Sequence, residues 1–298
     1  MDKRHLPVLP TVSRRSLIRS GVAASAAVLA APKTAFASFF RERYREMTPA
    51  EKREAVRRIV AQAKRDYGVT LDVGTEDVLP HVVFGYALNL SKCMGTRRCV
   101  EACVAENNQS RNPQIQYIRV LDLVHGGLDL DTSDHYFDPQ EVPVAGHRYL
   151  PIQCHQCANP PCVKACPVEA TWTEPDGITV IDYDWCIGCR YCMAACPYWA
   201  RHFNWAKPEI PKDQVNPDTH YLGNRPRAKG VVEKCTFCIQ RTRLGRLPAC
   251  LEACPTGARV FGNLLDPDSD IRYVLENKTV FRLKEDLGTE PRFWYYTD

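Results

Sequence analysis

The sequence predicts an α+β fold of short elements arranged around four groups of cysteines. Fifteen cysteines among 298 residues recur at short, regular spacings. One early segment has helical periodicity, and the strand-like segments are brief and bounded by Pro, Gly or Asn. With 45% hydrophobic and 25% charged residues, the chain has the composition of a globular protein that buries a core.

The first 37 residues have the pattern of a targeting segment. Arg14 and Arg15 precede a weakly apolar run over residues 21–31, and Ala35-Phe36-Ala37 follows as a small-x-small cleavage site. This pattern predicts a twin-arginine signal peptide over residues 1–37, cleaved before Ser38, and export of the folded protein to the periplasm, at the outer face of the inner membrane. An uncleaved tether is the alternative, although a bilayer span needs ~20 apolar residues.

The positive charge of the chain belongs to that leader. Residues 1–37 hold six basic side chains and one acidic one, so their removal takes the formal charge from +4 to −1. The remaining chain therefore offers no basic balance that would indicate a nucleic-acid partner.

An N-terminal helical extension is predicted over residues 38–83. Thr48-Pro49-Ala50-Glu51 is a capping box with proline at the first helical position, and apolar residues then recur at helical spacing up to Tyr67. One amphipathic helix over about 49–67 should pack its apolar face on the rest of the protein.

Short strands and turns are predicted beyond that extension. Alternating residues from Phe84 to Leu90 predict a strand, another is expected around Ile115–Leu121, and 171–182 should form a hairpin about Pro175-Asp176-Gly177. The segments 126–146 and 207–227 look like surface insertions. No stretch after the leader contains 18 consecutive apolar residues, so the mature chain is expected not to span a membrane.

The cysteines form four groups along the chain. They are Cys93, Cys99 and Cys103 in group one; Cys154, Cys157, Cys162 and Cys166 in group two; Cys186, Cys189, Cys192 and Cys196 in group three; and Cys235, Cys238, Cys250 and Cys254 in group four. The last cysteine of groups two, three and four is followed by proline.

Group three has the spacing C-x2-C-x2-C-x3-C-P, which is typical of bacterial ferredoxins. In that arrangement three cysteines bind one 4Fe-4S cluster and the fourth binds the neighbouring cluster. Zinc ribbons are the alternative, but they use two C-x2-C pairs with a long spacer and do not repeat C-P endings. The pattern therefore predicts iron bound through these cysteines, as iron-sulfur clusters.

Chain order predicts how the groups exchange their fourth ligands. Groups two and three lie close in sequence and should pair, and groups one and four should pair across the ends of the domain. The predicted ligand sets are Cys154, Cys157, Cys162 and Cys196; Cys186, Cys189, Cys192 and Cys166; Cys235, Cys238, Cys250 and Cys103; and Cys93, Cys99 and Cys254.

This pairing predicts two ferredoxin-like modules of two clusters each within a domain over residues 84–263. Residues 154–200 form the inner module, residues 84–125 and 230–263 form the outer one, and residues 264–298 form a C-terminal extension.

One cluster lacks a cysteine. Thr96 stands where the missing ligand is expected, and a hydroxyl binds iron poorly. The sequence predicts three 4Fe-4S clusters and one 3Fe-4S cluster. The alternatives are a 4Fe-4S cluster completed by water, hydroxide or the Thr96 oxygen, and a labile or absent cluster.

Other polar and aromatic residues near the cysteines carry weaker hypotheses. His155 could donate a hydrogen bond toward a cluster, or it could be a solvated loop residue. Trp172, Trp185, Trp199 and Trp205 are interpreted as core residues that exclude water. The sequence contains no Ser/His/Asp set and no nucleotide-binding loop, so we expect no catalytic site.

The three C-P groups resemble the four-cluster iron-sulfur subunits of the dimethyl sulfoxide reductase, polysulfide reductase and formate-dependent nitrite reductase systems. Subunits of alternative complex III and of the membrane complex that accompanies dissimilatory sulfite reductase are also similar. The resemblance covers residues 84 to about 263 and departs at Thr96. It implies electron relay between an integral membrane quinone-reactive subunit and a molybdopterin or multihaem cytochrome subunit. A freely diffusing periplasmic redox carrier is the alternative.

Overall fold

The computed structural model describes residues 47–124, 127 and 142–298. The predicted signal peptide, the predicted mature start at Ser38 and most of the predicted insertion over 126–146 lie outside the described residues. Among the helices of the described ranges, none is both long and apolar enough to cross a membrane.

Most elements are short. The helices, in chain order, are α1 (Pro49–Tyr67), α2 (Arg98–Glu106), α3 (Pro161–Lys164), α4 (Tyr191–Ala194), α5 (Ile239–Thr242), α6 (Ala249–Glu252) and α7 (Asp270–Asn277). The strands are β1 (Asp72–Gly74), β2 (Phe84–Asn89), β3 (Arg119–Val124), β4 (His147–Ile152), β5 (Thr171–Thr173), β6 (Thr179–Ile181), β7 (His202–Phe203), β8 (Asp218–His220), β9 (Val232–Glu233), β10 (Arg259–Asn263), β11 (Val280–Phe281) and β12 (Phe293–Tyr296). Two 3₁₀ turns lie at Lys212–Gln214 and Glu285–Leu287. This mixture confirms the predicted α+β class.

A four-stranded sheet in the order β10-β2-β12-β11 forms the centre of the described part. Strand β2 pairs antiparallel with β10 and parallel with β12. The strand predicted from Phe84 to Leu90 is confirmed, and all six residues of β2 are buried. The reason is that β2 has neighbours on both faces: Tyr86 packs among Phe237 and Phe293, whereas Ala87 lies under Ile271 of α7.

The other strands form two-stranded sheets. β5 and β6 are antiparallel and confirm the predicted hairpin, in which the amide of Gly177 donates to the carbonyl of Glu174. The strand expected around Ile115–Leu121 begins at Arg119 instead and pairs with β4. The preceding residues Ile115 and Ile118 are buried without being part of a strand.

The helix α1 begins with the capping box formed by Thr48 and Glu51. Its buried face carries Ala55, Ile59 and Ala63, and Ile59 and Ala63 pack with Leu71, Ile210 and Val215 in a separate apolar cluster. The side chains of Ile210 and Val215 come from the segment predicted to be a surface insertion.

The description of residues 207–227 as a surface insertion is therefore wrong. Strand β8, within this segment, pairs in parallel with β1. His220 at the end of β8 is buried, as are Leu222 and Asn224 beyond it, and the Asn224 amide donates to the carbonyl oxygens of Glu106 and Asp218. Polar residues that suggested a loop are instead the hydrogen-bonding partners that allow this backbone to be buried.

His220 makes the stability of this region dependent on pH. Its side chain is buried, its Nε2 lies 3.1 Å from the Glu76 carbonyl oxygen, and its Nδ1 accepts from the Leu222 amide. Burial lowers the pKa of His220 from 6.5 to about 4. Between these pH values the histidine is protonated in the unfolded chain but neutral in the folded protein. The free energy of unfolding therefore falls by about 1.4 kcal/mol for each unit by which the pH is lowered.

We expect a non-titrating side chain at this position to reduce that dependence. Between pH 7 and pH 5 the urea midpoint of the cluster-loaded protein should fall more steeply than that of His220→Gln, measured anaerobically by tryptophan fluorescence. Equal slopes for the two proteins would contradict the expectation. His202, whose pKa is also lowered by burial to about 4, contributes equally to both proteins and cancels in the comparison.

Candidate cluster-binding sites

Each cysteine group combines a loop with a short helix. Helix α2 carries Cys99 and Cys103, while α3, α4 and α6 carry Cys162, Cys192 and Cys250. Apart from α2, these helices are only four residues long. Such short helices gain little from their own hydrogen bonds, so the surrounding contacts must hold them.

The loop of group three has a backbone that requires glycine. Gly188 has a φ of 71°, and a Cβ there would lie 2.2 Å from the Gly230 carbonyl oxygen. Arg190, with a φ of 64° and a ψ of 6°, is the N-cap residue immediately before α4. The loop thereby presents Cys186 and Cys189 immediately before the helix that carries Cys192.

Group one repeats this loop geometry. Gly95 also has a φ of 71°, and Arg97, with a φ of 58° and a ψ of 6°, is the N-cap residue of α2. Thr96 therefore occupies the loop position that Cys189 occupies in group three. The hydroxyl side chain stands at a position where the same backbone elsewhere presents a thiol.

Two cavities are each lined by four cysteines. The first, here called site A, is lined by Cys166, Cys186, Cys189 and Cys192 and has a volume of about 330 Å³. The second, site B, is lined by Cys154, Cys157, Cys162 and Cys196 and has a volume of about 340 Å³. Both volumes include space open to solvent. These are the two sets predicted for groups two and three.

The remaining cysteines gather in two further sets, as their mutual electrostatic influence shows. Burial raises the pKa of Cys103 well above its ordinary value, and the charges of Cys235, Cys238 and Cys250 raise it further. These four residues are site C. Burial also raises the pKa of Cys93, and the charges of Cys99 and Cys254 raise it further. These three residues, with Thr96 in the same loop, are site D.

Electrostatic interactions between cysteines of different sets indicate which sites are neighbours. The charge of Cys162 in site B raises the pKa of Cys192 in site A. The charge of Cys154 in site B raises the pKa of Cys235 in site C. The charge of Cys99 in site D raises the pKa of Cys250 in site C. The resulting order is A, B, C, D.

Burial keeps these thiols protonated until a cation replaces the proton. Desolvation, the largest influence, raises the pKa of Cys157 and that of Cys235 to about 12. Iron binds the thiolate, so loading a cluster releases these protons, and the charge of the irons compensates for the buried thiolates.

The residues fit iron-sulfur clusters. Fifteen free thiols without a disulfide supply soft ligands. In the described ranges, no three His, Cys, Asp or Glu side chains surround a point where a single metal ion could be held. The four cysteines of sites A and B instead stand around the walls of a cavity, an arrangement that suits a cube in which each iron takes one thiolate.

His155 lies in the wall of site B and is buried, with 1% of its surface exposed. The hypothesis of a solvated loop residue is therefore wrong. Its ring lies against Tyr198 and Phe293, its Nε2 is 3.3 Å from the Tyr295 hydroxyl, and its Nδ1 has no partner among the described residues. Burial lowers the pKa of His155 to about 3, which keeps the ring neutral.

The interpretation of the tryptophans as core residues holds for Trp172, which is partly buried against the main core, but is wrong for the other three. Trp185, Trp199 and Trp205 are 47%, 52% and 61% exposed. Cations cover them in part, since Arg119 lies over Trp199 and Arg190 lies over Trp205. The apolar lining of site A includes smaller residues such as Ile181 and Val232 instead.

Sequence reasoning missed three buried basic residues beside the sites, namely Arg201, Lys234 and Arg259. A signal for two of them exists: Cys-Pro-x-x-Ala-Arg occurs at residues 196–201 and again at 254–259. The repeated arginine, five residues after the last cysteine of groups three and four, could have been found by aligning the groups with one another.

Comparison with known proteins agrees with this architecture. A family model described as a 4Fe-4S dicluster domain matches residues 145–228 and 223–264. A protein of Halobacterium salinarum assigned as the iron-sulfur subunit of a dimethyl sulfoxide reductase is 44% identical over 214 residues, which are 71% of this chain and 78% of the relative.

Two further relatives come from other reductases. The Hdr-like menaquinol oxidoreductase iron-sulfur subunit 1 of Archaeoglobus fulgidus is 41% identical, over 66% of this chain and 71% of its own length. The iron-sulfur cluster-binding subunit of the menaquinone reductase of Nitratidesulfovibrio vulgaris is 38% identical, over 72% of this chain and 88% of its own length. The chain belongs to the family of iron-sulfur electron-transfer subunits of respiratory reductases.

Proposed function

We propose that this chain relays electrons through four clusters between a membrane quinone-reactive subunit and a molybdopterin or multihaem cytochrome subunit of a respiratory complex. The observation that carries the proposal is the single row of four cysteine sets. A row of redox centres, each beside the next, suits outer-sphere electron transfer from one end of the protein to the other.

In this proposal sites A, B and C each hold a 4Fe-4S cluster, and site D holds a 3Fe-4S cluster. The clusters supply one-electron redox chemistry, and the chain itself supplies ligands, burial and order. Sites A and B form one ferredoxin-like two-cluster module and sites C and D form the other. Pairing of β2 with β10 supports the second module, because it joins the segment before group one to the segment after group four.

The two ends of the row are where we expect the partners to bind. Ile187 and Tyr191, in the loop and helix of site A, are each 63% exposed. Met94, in the loop of site D, is 40% exposed. Exposed apolar side chains beside the terminal sites provide surfaces that a partner subunit can cover, and covering them would bring its own redox centre close.

The proposed location is the periplasmic face of the inner membrane, reached in folded form by the twin-arginine route, since clusters inserted in the cytoplasm must be exported with the protein. The competing candidate is a freely diffusing periplasmic carrier of the ferredoxin kind. The surfaces at both ends of the row favour the subunit, because a single-ended carrier needs one docking surface.

The test combines cluster analysis with co-purification. The cluster-loaded protein, isolated anaerobically, should contain ~15 iron atoms per chain. Its oxidised form should give a near-isotropic electron paramagnetic resonance signal of a 3Fe-4S cluster, and its dithionite-reduced form should give coupled signals. Little or no iron would overturn the relay.

Partner binding is examined in the native host with an affinity tag on this chain. We expect an integral membrane protein to co-purify after mild detergent extraction. Recovery of the chain alone from the soluble periplasmic fraction would favour the diffusing carrier.

A further inference from the structure

Buried basic side chains divide into two classes in this protein. Among the described residues seven are buried, and four of them lie against carboxylates: Arg225 with Asp184, Arg227 with Glu233, Arg241 with Glu106 and Arg243 with Asp176. The other three, Arg201, Lys234 and Arg259, have no carboxylate partner in the described ranges. Burial of an unpaired cation is costly, so these three positions call for an anion that the polypeptide alone does not supply.

Arg201 lies between sites A and B. Its side chain lines both cavities. Its Nη2 donates to the Cys162 sulfur at 3.0 Å and to the Thr171 hydroxyl at 3.0 Å, whereas its Nε and Nη1 have no partner among the described residues. Although burial lowers the pKa of Arg201, the charges of Cys162, Cys192 and Cys154 outweigh that effect.

Arg259 is the counterpart of Arg201 between sites C and D. Its Nη1 donates to the Tyr86 hydroxyl at 3.2 Å and to Gln153 at 2.9 Å, and its Nη2 has no partner among the residues that are described. The charges acting on it include Cys99 of site D and Cys250 of site C. Both arginines stand at the same place in a Cys-Pro-x-x-Ala-Arg sequence.

Lys234 lies beside the contact between sites B and C. Its Nζ donates to the Cys235 carbonyl oxygen at 2.6 Å and to Gln156 at 3.3 Å. Gln156 stands between Cys154 and Cys157 in the chain, and its own amide donates to the same Cys235 carbonyl oxygen. Lys234 is 1% exposed, and its charge acts on the Cys235 thiol.

We propose that Arg201, Lys234 and Arg259 are the counter-ions of the clusters, one at each of the three junctions of the relay. The proposal rests on the proposed function, because the anions are the thiolate-bound clusters of sites A to D. The unpartnered N–H groups of the two arginines would be available to donate hydrogen bonds to cluster sulfur. Each cation therefore acts on the two clusters that flank its junction.

The physical consequence is a higher reduction potential at those clusters. A cluster bound by thiolates carries negative charge, and one added electron increases it, so a nearby buried cation stabilises the reduced form. The same cation offsets the repulsion between neighbouring clusters that are both reduced. Without it, reduction of one cluster would hinder reduction of the next, and electrons would pass along the row less readily.

The test measures the potential of each cluster in the full, cluster-loaded chain by a redox titration followed by electron paramagnetic resonance. In Arg201→Gln we expect the equilibrium constants for reduction of clusters A and B to fall at least tenfold, equivalent to about 59 mV for one electron. Clusters C and D should change less. Arg259→Gln should lower the equilibrium constants for reduction of clusters C and D, and Lys234→Met should lower those of clusters B and C.

Two further variants separate charge from packing. Arg201→Lys retains the charge and should restore most of the potential lost in Arg201→Gln; it also serves if Arg201→Gln fails to take up clusters. Arg243→Gln is the matched control, since it removes a buried arginine whose contacts are carboxylates and a backbone carbonyl rather than thiols.

Each outcome decides the matter. Unchanged potentials at the flanking clusters, equal shifts at all four clusters, or an equal shift in Arg243→Gln would overturn the proposal. The result is distinguishable from failure of the proposed function, in which the unaltered chain would itself lack the four clusters.

Discussion

Replacing Thr96 with cysteine should convert the cluster of site D from 3Fe-4S to 4Fe-4S. Thr96 follows a glycine with the same φ as Gly188, and the next residue, the N-cap of α2, has nearly the same backbone angles as Arg190. A thiolate at position 96 would therefore stand where Cys189 stands in site A and could bind a fourth iron. We expect the near-isotropic signal of the oxidised protein to disappear and one more iron per chain to be found.

Thr96→Val is the matched control for this change. It has nearly the same shape as threonine but no oxygen, so a 3Fe-4S cluster should be unaffected and its signal should persist. A different outcome is informative: if the unaltered protein lacks the signal and Thr96→Val acquires it, the Thr96 oxygen completes a 4Fe-4S cluster. Persistence of the signal in Thr96→Cys, with that cysteine reduced, would contradict the expected conversion.

Removal of the clusters should first unfold the inner module, residues 154–200, which carries cysteine groups two and three. The helices α3 and α4 are four residues long, and the hairpin of β5 and β6 has strands of three residues. Elements of this length are not stable by themselves. Without clusters, the cysteines of sites A and B lose the metal that holds the loops and short helices together.

Limited proteolysis with trypsin after anaerobic removal of iron by a chelator measures this effect. Cleavage after Lys164 and Arg190 should accelerate more than about tenfold, because opening of a region governs its cleavage. Cleavage after Lys64 serves as the internal control, since α1 has its own capping box and packs on a separate apolar cluster. Equal acceleration at Lys64 would mean that the clusters hold the whole described chain rather than this region.

The sequence was most informative where chemistry demands particular residues at fixed spacing. The C-x2-C-x2-C-x3-C-P run of group three, paired with group two, predicted the ligand set of four cysteines that lines site A. This was possible because thiolate ligation of a cluster allows little variation in the spacing of cysteines in the loop. The hairpin of β5 and β6 was predictable because Pro175, Asp176 and Gly177 favour a turn.

Tertiary context decided what local pattern could not. β2 is fully buried because β10 and β12 pair with its two edges, Phe237 packs against Tyr86 on one face, and α7 covers Ala87 on the other. The residues of β2 themselves do not indicate these neighbours. The polar segment that contains His220 and Asn224 is buried because its side chains satisfy backbone groups elsewhere. Arg201 and Arg259 were missed because a basic residue in a polar chain usually indicates exposed surface.

The parallel pairing of β2 with β12 has a consequence for the biosynthesis of the protein. Tyr86 pairs with Phe293 although about 200 residues separate them, and every cysteine lies between the two strands. During translation the central sheet therefore cannot close until all fifteen thiols have left the ribosome. The nascent chain exposes them together to oxidants and competing metals, so it requires a reducing compartment and prompt delivery of clusters before its last strand docks.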